Sequence, residues 1–232
     1  MNLVLTIPVQ IGKHQIKIAI WKLTMDPLLE NSNKILIIAN GGSILKNEFC
    51  EAIDSFPIVG RINNYITKGY EKHIGTKTDI WFHGANQRVK PRNNIPKRVV
   101  VMVPPKILQK IGKNINKRVG KRQRLSSEQY ELVSIENMKK YEKMCSVERL
   151  PTGTNSILWA IDNFETVIIH GFDFFIKSKT HYFDNKITKF LINNNLISKG
   201  KKHSMDQEKK YIEKLISNRI IHQLSEFKQE KL

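Results

Sequence analysis

His203, in the stretch Lys201-Lys202-His203-Ser204-Met205-Asp206-Gln207-Glu208, is the residue best suited to take a proton. An imidazole titrates close to physiological pH, so a modest push from its surroundings decides whether it serves as a base. Ser204 followed three residues later by Gln207 is a capping-box pattern. It predicts a helix beginning there, with Ile212, Leu215 and Ile216 on the buried face. His203 is then expected one residue outside the helix N-terminus, where the positive end of the dipole opposes protonation and keeps the ring neutral. Alone, a histidine beside a helix cap is more often a plain surface residue, so its company in the chain matters.

A second chemical signal lies near the start. Lys34-Ile35-Leu36-Ile37-Ile38-Ala39 is a short apolar run of the kind buried in a parallel sheet, and it enters Asn40-Gly41-Gly42-Ser43 directly. A strand ending in a glycine turn lets backbone amides approach a phosphate or nucleotide. The turn is neither G-x-G-x-x-G nor a Walker loop, and a plain turn after a strand is the commoner meaning of such a pattern.

The elements that must hold these groups fit one large α/β domain in 232 residues, with no second composition regime. Residues 1–33 read as an N-terminal hairpin appendage and linker, and residues 34–232 as the catalytic domain. In the hairpin, Leu3, Leu5, Ile7, Val9 and Ile11 alternate with polar positions, Gly12-Lys13 supplies the turn, and Ile16, Ile18 and Ile20 return. It is an appendage to the main sheet or an oligomer contact. Further strands are expected at Thr78-Asp79-Ile80-Trp81-Phe82 and at Arg98–Val103, and helical periodicity from Ser127 to Glu148. The Asn-, Lys- and Ser-rich segment from Asn185 to Lys202 has the composition of a lid closing over a donor, or equally of a solubilising loop.

The net charge of +18 calls for an anionic partner: nucleic acid, an acidic membrane leaflet or a charged substrate. Eight lysines or arginines fall between Lys106 and Arg124 with no acidic residue, a solvated basic helix and loop or a surface for an anionic acceptor or membrane. The two cysteines, Cys50 and Cys145, form neither a disulfide framework nor a metal-ligand spacing. Lysines interrupt the apolar N-terminal stretch, so neither a signal peptide nor a membrane span is expected. A cytoplasmic protein follows, soluble or in peripheral contact with a membrane.

Taken in order, Asn40-Gly41-Gly42-Ser43-Ile44-Leu45-Lys46, Ile53-Asp54, Gly60-Arg61-Ile62-Asn63, Gly69-Tyr70-Glu71 and Gly75-Thr76-Lys77-Thr78 resemble the large L motif of the eukaryotic-type sialyltransferases. Leu150-Pro151-Thr152-Gly153, the strand Thr166–His170 and Gly171-Phe172-Asp173 look like the S motif. His181-Tyr182-Phe183-Asp184 resembles motif III, and His203 with Glu208 resembles motif VS. The resemblance covers residues 34 to about 210. It implies a single Rossmann-like α/β domain of the GT-A-like sialyltransferase type, with a mainly parallel sheet flanked by helices.

The same resemblance implies the roles. Asn40, Gly41, Gly42, Ser43, Asn63, Thr152, Gly153, Gly171, Asp173 and Tyr182 would bind a CMP-sugar donor. His181 with Tyr182 would stabilise the departing phosphate, His203 would be the base, and Glu208 would hold its turn. The family often has serine where Pro151 stands, and its animal members often have glycine where Asp173 stands, which points to the smaller bacterial type. Neither cysteine occupies the place of the animal disulfide between motifs L and S, which favours a bacterial- or viral-type cytosolic enzyme.

Moving a sialyl group from CMP needs a base for the acceptor hydroxyl and donors for the leaving phosphate. The chain has no Asp-x-Asp pair to hold a divalent ion against a sugar nucleotide, so no metal or other cofactor is expected. Displacement from the face opposite the nucleotide implies inversion. Transfer of CMP-activated Kdo is the alternative within this class, and the acceptor is a glycan such as a lipooligosaccharide or capsule chain. A nucleic-acid-binding protein is the alternative of another class, disfavoured because no RNP, KH or helix-turn-helix signature accompanies the charge.

Overall fold

The computed structural model describes residues 4–11, 14–21, 32–173, 181–184 and 202–226, with side chains described for 32–173, 181–184 and 206–226. The chain divides into two compact units, Met1–Asn33 and Lys34–Leu232. In the first, β1 (Val4–Ile11) and β2 (His14–Trp21) pair antiparallel with Val4 opposite Trp21 and Ile11 opposite His14. The alternation expected of a hairpin is thus present. Its turn, Gly12-Lys13, and the linker at 22–31 lie outside the described residues.

The second unit is built on a seven-stranded sheet: β3 (Lys34–Ile38), β4 (Ile58–Ile62), β5 (Ile80–His83), β6 (Arg98–Val101), β7 (Glu131–Leu132), β8 (Thr166–His170) and β9 (Ile221–Gln223). Every pairing is parallel, in the order β7-β6-β5-β4-β3-β8-β9. A parallel strand with helices on both faces has no polar side to show water, which is why β3 reads as an unbroken apolar run. Ile35, Leu36 and Ile37 have no exposed surface.

Between the strands run α1 (Cys50–Asp54), α2 (Glu71–Ile74), α3 (Pro105–Ile111), α4 (Ile115–Gln123), α5 (Ile135–Cys145), α6 (Thr152–Asn163) and α7 (Lys202–Ser217). One core cluster, with Leu36, Ile44, Phe56 and Ile168, includes Tyr182. Another, with Trp81, Val99, Val101 and Val119, receives the apolar side of the basic helix α4.

Two expectations change. The helical stretch expected from Ser127 to Glu148 begins instead with a short turn and β7, whose Leu132 pairs with Val101; only from Ser134, whose side chain caps Asn137 N at 3.1 Å, does α5 run. A free sheet edge overrides local periodicity there. The last helix starts at Lys202, so His203 lies within its first turn and not outside it, and the Ser204–Gln207 pattern does not mark its start. Ile212 and Leu215 are buried as expected.

Candidate active site

From β3 the chain steps outward strand by strand to β7 and then returns to lay β8 against the opposite edge of β3. Neighbouring crossovers therefore diverge at β3, and the crevice beyond its carboxyl end is where doubly wound sheets bind ligands. A cleft of about 130 Å³ lies there. Its walls are Ala39–Gly41 after β3, Ile62 and Asn63 ending β4, Gly171–Asp173 after β8 and Pro151–Thr154 opening α6, with His181 and Glu208.

The glycine turn has a steric cause. Gly41 N donates to Gly171 O at 2.9 Å, and a Cβ on Gly41 would stand 2.4 Å from Asp173 Cγ. Only glycine lets the two strand ends touch. Gly171 has φ +72, a left-handed conformation that L side chains rarely adopt. Gly41 also bridges to His181, and Tyr182 N donates to Asn40 O at 3.1 Å, which ties the 181–184 segment to the end of β3.

Asn40 is 8% exposed; its Nδ2 donates to Ile62 O at 2.9 Å, while Oδ1 has no partner among the described residues. Asn63, with φ 50, likewise keeps a buried Oδ1 without a partner among them. At α6 the N-cap position is Pro151, with no side-chain cap, and the first turn closes with Asn155 N donating to Pro151 O at 3.1 Å. The amides of Thr152, Gly153 and Thr154 precede that bond at the positive end of the helix dipole, against the cleft.

Nine expected site residues converge on the cleft: Asn40, Gly41, Asn63, Thr152, Gly153, Gly171, Asp173, His181 and Glu208. Three do not. Gly42 lies outside the lining, and Ser43 spends both its amide (3.0 Å) and its hydroxyl on the Asp173 carboxylate, so its contact is with the protein. Tyr182 is a core residue, 2% exposed. Its hydroxyl donates to Ile66 O at 2.5 Å and accepts from Ile66 N at 3.0 Å, and burial pushes the phenol up to about 12. A phenol so used is not the donor to a phosphate in the cleft. The His203 side chain lies outside the described residues, as do residues 185–200 of the expected lid.

The sequence reading missed Thr154, whose hydroxyl donates to the buried Glu208 carboxylate. The signal was present as a second threonine two places after Thr152 at a helix start. Arg61, at the heart of the L-type stretch, has no exposed surface and donates to Ile74 O at 2.6 Å and Lys77 O at 3.0 Å. Burial lowers its guanidinium to about 10. It braces the segment after α2 from beneath β4. His83 is buried and His170 half-buried, and desolvation pushes each down to about 4.

Over residues 31–220 the chain matches the family model of Glycosyltransferase family 29 (sialyltransferase). Among solved structures, a mammalian sialyltransferase is similar with a TM-score of 0.62 and 18% identity, over 86% of this chain and 72% of that one. The mammalian enzyme in complex with Gal-beta-1-3GalNAc-ortho-nitrophenol gives a TM-score of 0.62 at 17% identity, over 86% and 73%. The sialyltransferase CST-II in complex with CMP gives 0.50 at 14% identity, over 82% and 81%. At these identities the likeness is one of fold. A beta-1,6-galactosyltransferase of Arabidopsis thaliana is 38% identical over 50 residues, which span 22% of this chain and only 13% of that enzyme.

Proposed function

The chain belongs to glycosyltransferase family 29, the sialyltransferases, and on that premise we propose that it moves sialic acid from CMP-sialic acid to a glycan hydroxyl, without a metal and with inversion. The observation that carries this reading is one cleft combining a helix N-terminus without a side-chain cap with two amide oxygens that have no partner among the described residues. The amides of Thr152, Gly153 and Thr154 suit the CMP phosphate, and the Oδ1 atoms of Asn40 and Asn63 suit the amine and hydroxyls of a cytidine.

His181, against the same cleft, is the group for charge developing on the leaving phosphate. His203 is the base for the acceptor hydroxyl. Its backbone lies in the first turn of α7, and Glu208, a little over one turn further along that helix, lines the cleft. Inside the first turn, as outside it, the dipole favours a neutral imidazole. The reaction breaks the bond between the anomeric carbon and the phosphate oxygen while the acceptor oxygen attacks the opposite face. The proton goes to His203 and CMP leaves as the anion.

Exposed lysines on the stretch from α3 to α4 support peripheral contact with an anionic membrane at the cytoplasmic face. No helix among the described residues is long and apolar enough to cross one. A second reading, transfer of galactose, is favoured by the Arabidopsis relative alone. Incubation with CMP-sialic acid, CMP-Kdo and an activated galactose in parallel separates the readings. Glycan-dependent CMP release from the first alone is expected; turnover of only one of the others rejects the sialyl assignment.

A further inference from the structure

A second groove, of about 500 Å³, is formed by residues 64–68 beyond β4 and 90–94 beyond β5, with Phe183. Asn64 joins the two loops: its Nδ2 donates to Arg88 O at 2.8 Å and its Oδ1 accepts from Lys90 N at 2.8 Å. The groove adjoins the donor cleft at two points. Asn63 lines the cleft and Asn64 the groove, and the His181 ring in the cleft stacks on the Phe183 ring in the groove, 5.3 Å between centroids and 26° between planes. A sugar in the groove thus lies beside His181, the residue read above as facing the leaving phosphate.

Its charge is one-sided. Lys68, Lys90 and Arg92 line it, no carboxylate does, and none of the three forms an ion pair among the described residues. Lys68 and Lys90 are exposed. Arg92 is held flat, its guanidinium 3.7 Å from the Tyr65 ring centroid and its Nη1 donating to Tyr65 O at 3.1 Å. Its Nε has no hydrogen-bond partner among the described residues. A guanidinium fixed by stacking, with its Nε edge unclaimed, has the fork geometry that pairs with a carboxylate. The same fork also accepts a phosphate, but no glycine lines this groove, so it lacks the glycine-turn amides that dedicated phosphate sites add. The Phe183 ring offers an apolar surface for a sugar face.

We propose that this groove is the acceptor subsite and that the acceptor is an acidic glycan, with a sugar carboxylate seated on Arg92, Lys68 and Lys90. This rests on the glycosyltransferase reading above and names the acceptor class for it. Charge complementarity selects the acid over its neutral counterpart, since three cations with no ion-pair partner among the described residues repel one another until an anion arrives.

The test is calorimetry on the CMP-saturated protein with three matched trisaccharides: one bearing a terminal sugar carboxylate, one with that carboxylate reduced to the alcohol, and one bearing a phosphate there. The carboxylate is expected to bind about tenfold or more tighter than the alcohol, as suits charge-assisted pairing. Arg92→Gln and Lys90→Glu should each remove that preference while CMP affinity stays at the wild-type value. Lys90 is exposed, so its variant keeps the test sound if Arg92→Gln fails to fold. Equal binding of acid and alcohol, tighter binding of the phosphate, or displacement of the acidic glycan by phosphatidylserine vesicles overturns the proposal. Loss is traceable: wild-type protein that binds no CMP sinks the donor reading, whereas normal CMP binding without acid preference sinks only the acceptor assignment.

Discussion

The Thr154 hydroxyl donates to the Glu208 carboxylate, so the first turn of α6 is tied to α7 at the wall of the donor cleft. Burial raises the Glu208 carboxyl above the usual carboxylate range, and the Thr154 hydrogen bond opposes that rise. A folded value above the unfolded one means that the native state binds the proton more tightly. The contribution to stability is then fully present below the unfolded value and is lost as pH rises through the raised one. Glu208→Gln keeps an acceptor for Thr154 and carries no charge. Its Tm is expected to exceed that of the wild type at neutral pH, by about 2–4 °C for each kcal/mol removed, and the gap should close below the ordinary glutamate range. Thermal scans across that window check it; a variant less stable than the wild type at neutral pH would contradict it.

Tyr182→Phe removes a hydroxyl that serves both the amide and the carbonyl of the exposed residue Ile66. The expected cost is about 0.5–1.5 kcal/mol in urea unfolding, the net worth of a hydrogen bond whose freed partners water can reach. CMP affinity should stay near wild type. A tenfold loss of CMP affinity in the folded variant would return Tyr182 to the donor site.

His181→Ala takes away the ring that faces the cleft and stacks on Phe183. Turnover should fall by roughly tenfold to a thousandfold with the fold intact, the range for one lost stabilising group. Unchanged turnover with an unchanged circular dichroism spectrum would remove His181 from the phosphate.

With no carboxylate pair of the Asp-x-Asp type in the chain, EDTA should leave most activity in place. Abolition by EDTA with rescue by manganese or magnesium would reject a metal-independent transfer.

The central strands and their turns were legible because their physics is local. An apolar run such as Ile35–Ile38 is written in consecutive residues, and the glycines at 41 and 171 sit where two strand ends must touch. The edges were not legible. β7 has two residues and β9 three, too few to carry a period, and each exists because a neighbouring strand offers unpaired backbone. Ser43 read as a donor ligand because the resemblance of its stretch to the L motif implied it; its pairing with Asp173, 130 residues away, depends on how β3 and β8 meet. Tyr182 was misplaced for a related reason. It neighbours His181 in the chain, but in the turn closed by Asp184 N donating to His181 O at 3.1 Å one side chain faces the cleft and the next the core.

The account depends most on His203, in the first turn of α7. Calorimetry with CMP and a CMP-sialic acid transfer assay on the same preparation of His203→Ala separate a base from a ligand. Transfer lowered by about two to four orders of magnitude, with CMP affinity unchanged, is the predicted result. Loss of CMP binding and of transfer together would contradict it and make His203 a donor ligand or a structural residue.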